Sequence, residues 1–461
     1  MRNILAITFI TTCFGLNLSV LDYDNPSATH ILDAEVIDDL LIVVGMIGGI
    51  EFYDISNPEL LNHLTSFNLS SGGGGGAKPN CISAIDNYAY ITTKNGVAII
   101  DISNPSNPQN LGYISGTNNL ILENLDIYNN LLVLAAHEDG VRLYDISNPS
   151  NPSYISTIET ENAWAVDLDD YYMYIADGST LLVYYEVGDG STNEYDLMAS
   201  LDLSNSIKDI AIGGGYLYAA IGSDGVVAIN LMVNATPQII DTYNTSAMAN
   251  RLEILAGNKV AISDWDDVEV LELNIDNNSL DLVGYKNTTR RTMAIATKDN
   301  YIYSAEWASV QVFEFGEIDG PDIDLSTYEL NYPYVENGSS ESLFLDVVNN
   351  GNQILTISDN YTTNPEFNII NPLTSLSPGE SQTVEVEYFA NSNNSSGSYR
   401  IFSNDNDESE IICETNGNIN GANIGQEAPD FNLDIVANGD GSFQLSDYLE
   451  SIVVIAFFSP N

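Results

Sequence analysis

The side chains with the most potential for chemistry are carboxylates, which are grouped in three short stretches. These are "DWDD" (residues 264–267), "VGDGSTNEYD" (187–196) and "ANGDGS" (437–442). Clustered carboxylate oxygens are the ligands that calcium prefers in proteins. None of the stretches has the twelve-residue ligand spacing of the helix–loop–helix calcium site, so solvated turns are the simpler interpretation. We therefore expect no cofactor, with calcium as the alternative.

The histidines and cysteines do not form a catalytic pattern. His30, His63 and His137 share no spacing, which argues against a zinc site. Cys81 and Cys413 lie far apart and are too few for a disulfide framework, so we expect two buried core residues. The sequence predicts no catalytic, cofactor-binding or metal-binding residue.

Two further features invite a functional interpretation that the sequence does not favour. Trp164, Trp265 and Trp307 fall in or near predicted strands, so we expect them in the core. The glycine run "SSGGGGGAKPN" (70–80) lacks the strand–Gly–Lys-Ser/Thr–helix order of a phosphate site. A flexible loop is the expectation for these residues.

The charge balance excludes two classes of partner. Lys and Arg number 12 against 65 Asp and Glu, which gives a formal net charge of −53. Such a field repels nucleic acid and anionic lipid surfaces. Aromatic residues make up 10 % of the chain and charged residues only 17 %, which favours globular β structure over disorder.

The first residues predict export from the cytoplasm. Residues 1–15, "MRNILAITFITTCFG", have one basic residue, a short apolar stretch and small residues, as in a secretory signal peptide. Cys13 makes lipidation the alternative to simple cleavage, although the preceding Thr fits a lipoprotein signal poorly. No later apolar run is long enough to span a membrane. We expect a secreted protein or one of the cell envelope.

A repeat dominates the middle of the chain. "DISNP" occurs at 54–58, 101–105 and 145–149, each time after a short alternating strand such as "GVAIIDIS". Four degenerate copies continue the pattern at a spacing near 43 residues, which is typical of a propeller blade. The equivalent positions are Asp54, Asp101, Asp145, Glu186, Asn230, Glu272 and Glu314. We interpret these side chains as braces that accept N–H groups of the following turn, not as catalytic groups.

Each repeat contains the strands of one blade. A second alternating segment lies upstream of each copy and is split by a polar turn, as in "SAIDNYAYITT", and a shorter strand such as "QNLGYIS" follows. The seventh unit has no fourth strand before Gly320, whereas residues 16–26, "LNLSVLDYDNP", resemble one. We therefore predict a seven-bladed β-propeller over residues 16–319, with the N-terminal strand closing blade seven.

The repeat resembles a known family. The consensus from "YITTKNGVAIIDISNPSNPQNLGYIS" and "YIADG" is similar to the LVIVD repeat of bacterial extracytoplasmic propellers. The resemblance covers roughly residues 16–317 and is most specific in the first three copies. It implies a fold rather than a defined activity.

The period ends after residue 320. Residues 320–422 contain about seven short alternating strands separated by turn signals, which predicts a β-sandwich. "SPGES" and "SNDND" resemble segments of the Hydin-type immunoglobulin-like domain. That resemblance implies spacing and binding, not chemistry.

The last segment, residues 423–461, contains the stretches "GQEAPDFNL", "GSFQLSDYLES" and "IVVIAFFSPN". In this order they resemble the entry segment, the hairpin with its short helix, and the central strand at the start of the thioredoxin-like redoxin family, of the AhpC/TSA type. The resemblance implies an incomplete α/β segment whose catalytic cysteine would follow Asn461. We expect a truncated module with no redox centre of its own.

The leading functional prediction is binding and scaffolding outside the cytoplasm, on a face of the propeller. The expected partner is an unknown protein or a cell-surface ligand, and the sequence does not predict an oligomeric state. The alternative is that these residues belong to a thiol-disulfide oxidoreductase or thiol peroxidase. A third interpretation is a purely structural adhesin.

Overall fold

The computed structural model describes residues 18–69, 77–187, 194–231, 236–255, 257–316, 320–391, 394–405, 408–418, 432–434 and 442–444. The chain divides into two units, Met1–Ile318 and Asp319–Asn461. Every regular element in the described ranges is a β-strand. The same ranges contain no helix that is long and apolar enough to cross a membrane.

The first unit repeats an antiparallel four-stranded sheet, here called a blade. The middle strands of each blade are buried on both faces, so alternate side chains pack against the two neighbouring sheets. Blades one to three consist of β2 (Thr29–Ile37), β3 (Leu40–Ile47), β4 (Gly49–Asp54) and β5 (Asn62–Phe67); β6 (Ile82–Ile85), β7 (Tyr88–Thr93), β8 (Gly96–Asp101) and β9 (Gln109–Tyr113); β10 (Asn124–Tyr128), β11 (Leu131–Ala135), β12 (Val141–Asp145) and β13 (Ser153–Ile158). Blades four and five consist of β14 (Ala163–Leu168), β15 (Tyr172–Asp177), β16 (Thr180–Glu186) and β17 (Tyr195–Asp202); β18 (Asp209–Gly213), β19 (Tyr216–Ala220), β20 (Val226–Asn230) and β21 (Gln238–Tyr243).

Blades six and seven form one continuous six-stranded sheet, where the repeat predicts separate strands. Its order is β22 (Arg251–Leu255), β23 (Lys259–Asn274), β24 (Ser279–Lys298), β25 (Tyr301–Glu306), β26 (Ser309–Phe315) and β1 (Leu18–Asp24). β23 includes the second and third strand positions of blade six, and β24 the fourth position of blade six and the first of blade seven. The extended conformation continues through the connections, where the register shifts.

The N-terminal strand β1 is the fourth strand of blade seven. It pairs antiparallel with β26, from Leu18 opposite Phe315 to Asp24 opposite Val310. Leu18 is fully buried and packs in one cluster with Phe313. The first strands of neighbouring blades contact one another all the way round, including β24 against β2, so the sheets form a closed ring.

The turns use the residues that the sequence indicates. Asp38, Asp86, Asn129 and Asp299 adopt positive φ angles between their paired strands, as tight hairpin turns require. The "DISNP" braces are confirmed in the three clear copies, since each Asp accepts the N–H two residues on: Asp54 from Ser56 (2.9 Å), Asp101 from Ser103 (2.9 Å) and Asp145 from Ser147 (2.8 Å). In the weaker copies Glu272 instead bonds Lys259, and Glu314 bonds Asn300.

Tyrosine hydroxyls join one blade to the next turn. Tyr90 of blade two donates to the carbonyl of Pro149 in blade three at 2.8 Å. Tyr303 of blade seven donates to the carbonyl of Pro58 in blade one at 3.0 Å. The "DISNP" turn therefore stabilises the contact between blades as well as its own bend.

The second unit contains two four-stranded sheets around one hydrophobic core. The first has the order β27 (Ile323–Leu325), β29 (Ser340–Asn349), β32 (Ser381–Phe389) and β31 (Phe367–Ile369), and the second the order β28 (Glu329–Asn331), β34 (Glu410–Gly417), β33 (Ser395–Ser403) and β30 (Ile357–Thr362). Side chains of both sheets share the core, as in a β-sandwich, and Cys413 is fully buried among them.

The redoxin-like segment lies almost entirely outside the described residues. Within it, β35 (Asn432–Asp434) pairs with β36 (Ser442–Gln444). No helix occurs in the part of the chain that is described, whereas a complete thioredoxin fold would need helices.

Candidate functional site: the central channel and the upper face

The connections of the blades lie on two opposite faces of the ring. Because neighbouring strands are antiparallel, the first-to-second turns and the "DISNP" turns lie together, and we call this the lower face. The second-to-third turns and the links between blades lie on the other side, which we call the upper face. The first strand of each blade lines the channel between the two faces.

The channel contains a cavity of about 340 Å³ lined mainly by acidic and aliphatic residues. Its carboxylates come from five of the blades: Asp33, Glu35, Asp126, Asp167, Asp209 and Glu253. Among the described lining residues Arg251 is the basic one, and its guanidinium lies 3.5 Å from Asp209. Cys81 also lines the cavity, and burial raises its pKa well above the usual range, so the thiol is not an activated nucleophile.

The channel carboxylates join neighbouring first strands, which share no ladder of backbone hydrogen bonds. Four of the six accept an N–H from the first strand of the next blade: Asp33 from Ile82 (2.9 Å), Asp126 from Leu168 (3.1 Å), Asp167 from Ile212 (3.0 Å) and Asp209 from Leu252 (2.9 Å). The spacing of the repeat brings these groups together. Their first role is therefore structural.

Burial controls the protonation of this group. It raises the pKa of Asp126 and of Asp209 to about 6, and that of Glu253 to about 8. The pKa values of Glu35 and Asp167 are raised well above the usual range, first by burial and then by neighbouring carboxylates. The channel therefore holds part of its carboxyl groups protonated at neutral pH.

The upper face carries the three tryptophans of the chain. All three are half-buried, so the prediction of core side chains is wrong: Trp265 and Trp307 lie in second-to-third turns, and Trp164 lies near the start of β14. Their positions at strand ends leave part of each ring accessible. Trp265 and Trp307 are 42 residues apart, one repeat, so their shared position could have been found from the sequence.

The tryptophans form two clusters with cationic or imidazole groups. Arg291 lies 4.7 Å from the ring of Trp265 and 6.0 Å from that of Trp307, and the ring of His30 lies 4.3 Å from Trp307. We call these four residues the Trp307 cluster. Such cation–π contacts hold a guanidinium flat on an aromatic face.

The second group, the Trp164 cluster, lies on blades three to five. Lys208 Nζ is 4.9 Å from the Trp164 ring, and the ring of His137 is 4.9 Å from it. His137 also contacts Glu123 (3.0 Å) and Asn162 (2.9 Å). The three histidines of the chain do not converge on one point.

Basic residues are unevenly distributed in this acidic chain. Several lie in or beside upper-face connections: Lys78, Lys94, Lys208, Arg251, Arg290 and Arg291. The lower face carries the "DISNP" braces, and its Lys259 and Lys298 are paired to Glu272 and Asp39. The upper face also carries the acidic turn of blade six, but it offers the larger number of basic groups to an anion.

The structure places only one of the three acidic stretches of the sequence in full. "DWDD" forms the second-to-third turn of blade six, on the upper face. Most of "VGDGSTNEYD" and "ANGDGS", and the glycine run of residues 70–76, lie outside the described residues. Cys81 and Cys413 are buried and unpaired, as expected.

Comparison with known proteins identifies the repeat. The model of the LVIVD repeat matches residues 77–114 and 124–160, which form blades two and three. Among curated proteins, none matches this sequence. The match covers the second and third of the three clear "DISNP" copies.

Solved structures are similar to the chain in fold. The structure of U3-55K has a TM-score of 0.51 at 13 % identity, over 65 % of this chain and 98 % of that one. The WD40 beta propeller domain of Doa1 (TM-score 0.49, 10 % identity) and the RRP9 WD40 repeats (TM-score 0.49, 13 % identity) each match over 65 % of this chain and 98 % of theirs. The closed ring of blades, the repeat match and the likeness to U3-55K agree: the first unit is a β-propeller with LVIVD repeats.

Proposed function

We propose that this protein is a binding and scaffolding protein that holds a partner on the upper face of its propeller. The observation that carries the proposal is the concentration of all three tryptophans on that face, next to Arg291 and Lys208. Aromatic and arginine side chains dominate the energetics of protein interfaces. Loops held on a rigid scaffold commonly carry such contacts.

The chemistry of the face favours a partner with negatively charged groups beside flat apolar surface. Arg290 and Arg291 are exposed, whereas the guanidinium of Arg251 points into the channel region beside Asp209. A carboxylate or sulfate can pair with the exposed guanidinium groups in bidentate geometry. A protein or cell-surface ligand with a few such groups fits the face better than a polyanion such as nucleic acid, which the net charge of −53 repels.

Photo-crosslinking from matched positions tests this proposal. Ile121, in the link between blades three and two on the upper face, is 65 % exposed, and Tyr171, in a lower-face turn, is 68 % exposed. A photoreactive amino acid at position 121 should give discrete adducts in cells of the organism that encodes the protein, and one at position 171 should not. Adducts from both positions alike, or from position 171 alone, would contradict an upper-face site.

A paired substitution sharpens this test. The double variant R291A/W307A should lose the adducts from position 121, because it removes the guanidinium and one ring of the Trp307 cluster. The control is K259A/K298A, which changes the charge of the lower face and should leave the adducts intact. Retention of the adducts in R291A/W307A would assign binding to other residues.

We also infer that the protein acts outside the cytoplasm, in the envelope or the surrounding medium. The inference is supported by the signal-like pattern of residues 1–15. Fusion of alkaline phosphatase after residue 25 tests it in a bacterial host, since that enzyme is active only after export. An inactive fusion that accumulates in the cytoplasm would refute the inference.

The redoxin-like sequence of residues 423–461 supports a second candidate function, participation in thiol-disulfide or peroxide chemistry. The proposal rests on "GQEAPDFNL" and "IVVIAFFSPN" alone. The coding DNA beyond the codon of Asn461 tests it. An in-frame cysteine at the start of a helical pattern would support redox chemistry, and its absence would leave binding as the function.

A further inference from the structure

The acidic turn of blade six has the composition of a cation site. Asp264, Asp266 and Asp267 each place a carboxylate oxygen within 4.8 Å of the others. Glu269, two residues further along β23, lies beside them and accepts the N–H of Ser246 at 3.0 Å. All candidate ligands are oxygen atoms, which hard cations prefer to nitrogen or sulfur.

Two of these carboxylates contain oxygens that the fold leaves unsatisfied. Asp267 Oδ1 and Glu269 Oε2 are buried and have no hydrogen-bond partner within the described part of the chain. Both residues are only 1 % exposed. Buried polar atoms almost always have a partner, and a carboxylate oxygen without one is strongly unfavourable. These two oxygens are therefore an observation independent of the acidic composition.

The link between blades five and six fixes the other oxygens of the group. Asp264 accepts hydrogen bonds from Thr245 Oγ1 (2.8 Å), the Ala247 N–H (2.7 Å) and Ser246 Oγ (3.1 Å). Ser246 Oγ also lies against Asp267 Oδ2. Residues 245–247 thus hold three carboxylates in place around the unsatisfied oxygens.

The surrounding charges favour a cation at this point. Burial, then the neighbouring carboxylates, raises the pKa of Asp267 to about 9, and burial raises that of Glu269 to about 7. Lys286 of β24 lies opposite Val268, so its side chain is on the other face of the sheet from Asp267 and Glu269. Arg291 is stacked on Trp265.

In the equivalent turns of two other blades, hydroxyl, amide or imidazole groups form hydrogen bonds to the acidic side chains. In blade seven, Glu306 is bonded by Ser304, Ser309 and Gln311. In blade one, Glu51 has the position of Glu269 and likewise accepts an N–H from the preceding link, that of Ala28 at 2.8 Å. Its second oxygen is bonded by His63 and Ser66, whereas Glu269 Oε2 is unsatisfied.

We propose that Asp264, Asp266, Asp267 and Glu269 bind a divalent cation, and that calcium is the ion that fits them best. Calcium accepts several carboxylates in flexible geometry, whereas magnesium retains most of its water and demands a regular octahedron. Asp266 is exposed and completes the group from the solvent side. Trp265 lies in this turn, so the site adjoins the Trp307 cluster, but none of its four carboxylates belongs to that cluster.

Terbium luminescence and thermal unfolding of the full chain test the proposal. Trp265 lies within the turn and can transfer excitation energy to terbium, a calcium analogue. After removal of metal with EDTA, the wild-type protein should give saturable tryptophan-sensitised terbium emission that calcium displaces. Saturating calcium should raise the melting temperature by about 5 °C. Absence of both effects would overturn the proposal.

Matched variants assign these effects to blade six. D267N/E269Q keeps the side-chain shapes but should lower calcium affinity at least about tenfold and remove the calcium-dependent shift. E306Q, in the equivalent turn of blade seven, should retain both effects. An unchanged shift in D267N/E269Q would place the ion elsewhere, such as at Asp322, Asp405 and Glu408 in the second unit, and overturn the proposal.

A further variant covers the case in which D267N/E269Q does not fold. W265F/W307F leaves the four carboxylates in place and removes both indoles near the turn, so it should lose most of the sensitised emission while keeping the calcium-dependent melting shift. Full emission in W265F/W307F would show that terbium binds near Trp164 instead. That result would also overturn the proposal.

Discussion

Blades six and seven share one sheet but place opposite chemistry in the same turn. In blade seven, Glu306 is surrounded by two hydroxyl groups and an amide. In blade six, the positions of Ser309 and Gln311 are taken by Asp267 and Glu269. A single acid with neutral donors needs no further partner, whereas several acids around one serine do. The blade therefore determines where side chains meet, and the local sequence determines whether they need a ligand.

The two blades also differ in how the chain builds them. Blade six is formed from consecutive residues that run from β22 into β24. Blade seven takes its fourth strand, β1, from the other end of the propeller. The stability of blade seven therefore depends on residues far away in sequence, and that of blade six does not.

Deletion of β1, residues 18–24, should have the largest effect of the changes considered. It exposes the edge of β26 and uncovers Phe313, so we expect the melting temperature to fall by more than about 10 °C or the cooperative transition to disappear. Circular dichroism during heating measures this. Tyr23→Ala, at a position 65 % exposed, is the control and should change stability by less than about 0.5 kcal/mol. An unchanged melting curve after the deletion would show that blade seven does not need β1.

The pH dependence of stability should distinguish the acidic turn of blade six from the equivalent turn of blade seven. Acids whose pKa is raised by folding stabilise the protein below their unfolded pKa, near 4, and this stability is lost as pH rises through the folded pKa. The folded pKa is about 9 for Asp267, about 7 for Glu269 and about 7 for Glu306. Metal-free stability should therefore fall as the pH rises from 5 to 9.

Variants make the pH comparison specific. D267N/E269Q should flatten the fall in stability more than E306Q does, because its two acids have the larger summed shift. Chemical denaturation at each pH in EDTA measures the slope. Equal slopes in the two variants would mean that the blade-six acids are not the more strongly perturbed pair.

The smallest effect should come from the hydroxyl that joins blade seven to blade one. Tyr303→Phe removes the bond to the Pro58 carbonyl and should cost about 1 kcal/mol, read from the denaturant midpoint. Blade six has Ala261 at the equivalent position and no such bond to lose. Tyr154→Phe, at a residue 53 % exposed, is the control. If Tyr303→Phe and the control have equal denaturant midpoints, the bond to Pro58 does not stabilise the closed ring measurably.

Much of the propeller can be predicted from the repeat. The spacing of the "DISNP" copies, the alternating strands and the polar turns together indicate the number of blades and the role of Asp54, Asp101 and Asp145. These features are local, because each depends on residues within one repeat. The merging of strands in β23 and β24 could not be predicted, since it depends on how two blades continue into each other.

The candidate sites were harder to predict because they combine different repeats. "DWDD" is visible in the sequence, but its relation to Ser246 appears only when the link between blades folds over the turn. The Trp307 cluster likewise brings His30 of blade one to blade seven through ring closure. Burial of Asp267 and Glu269 also follows from packing rather than from composition.

The pairing of β1 with β26 imposes an order on biosynthesis. During translation β1 leaves the ribosome first, and its partner leaves it only after six blades have been made. Blades one to five can form as they emerge, because each consists of consecutive residues. A nascent chain that stops before Phe315 has an N-terminal strand with no sheet to join and a ring with two open edges. Chaperones and proteases that recognise exposed strand edges can therefore bind interrupted chains, whereas a finished propeller has closed its ring.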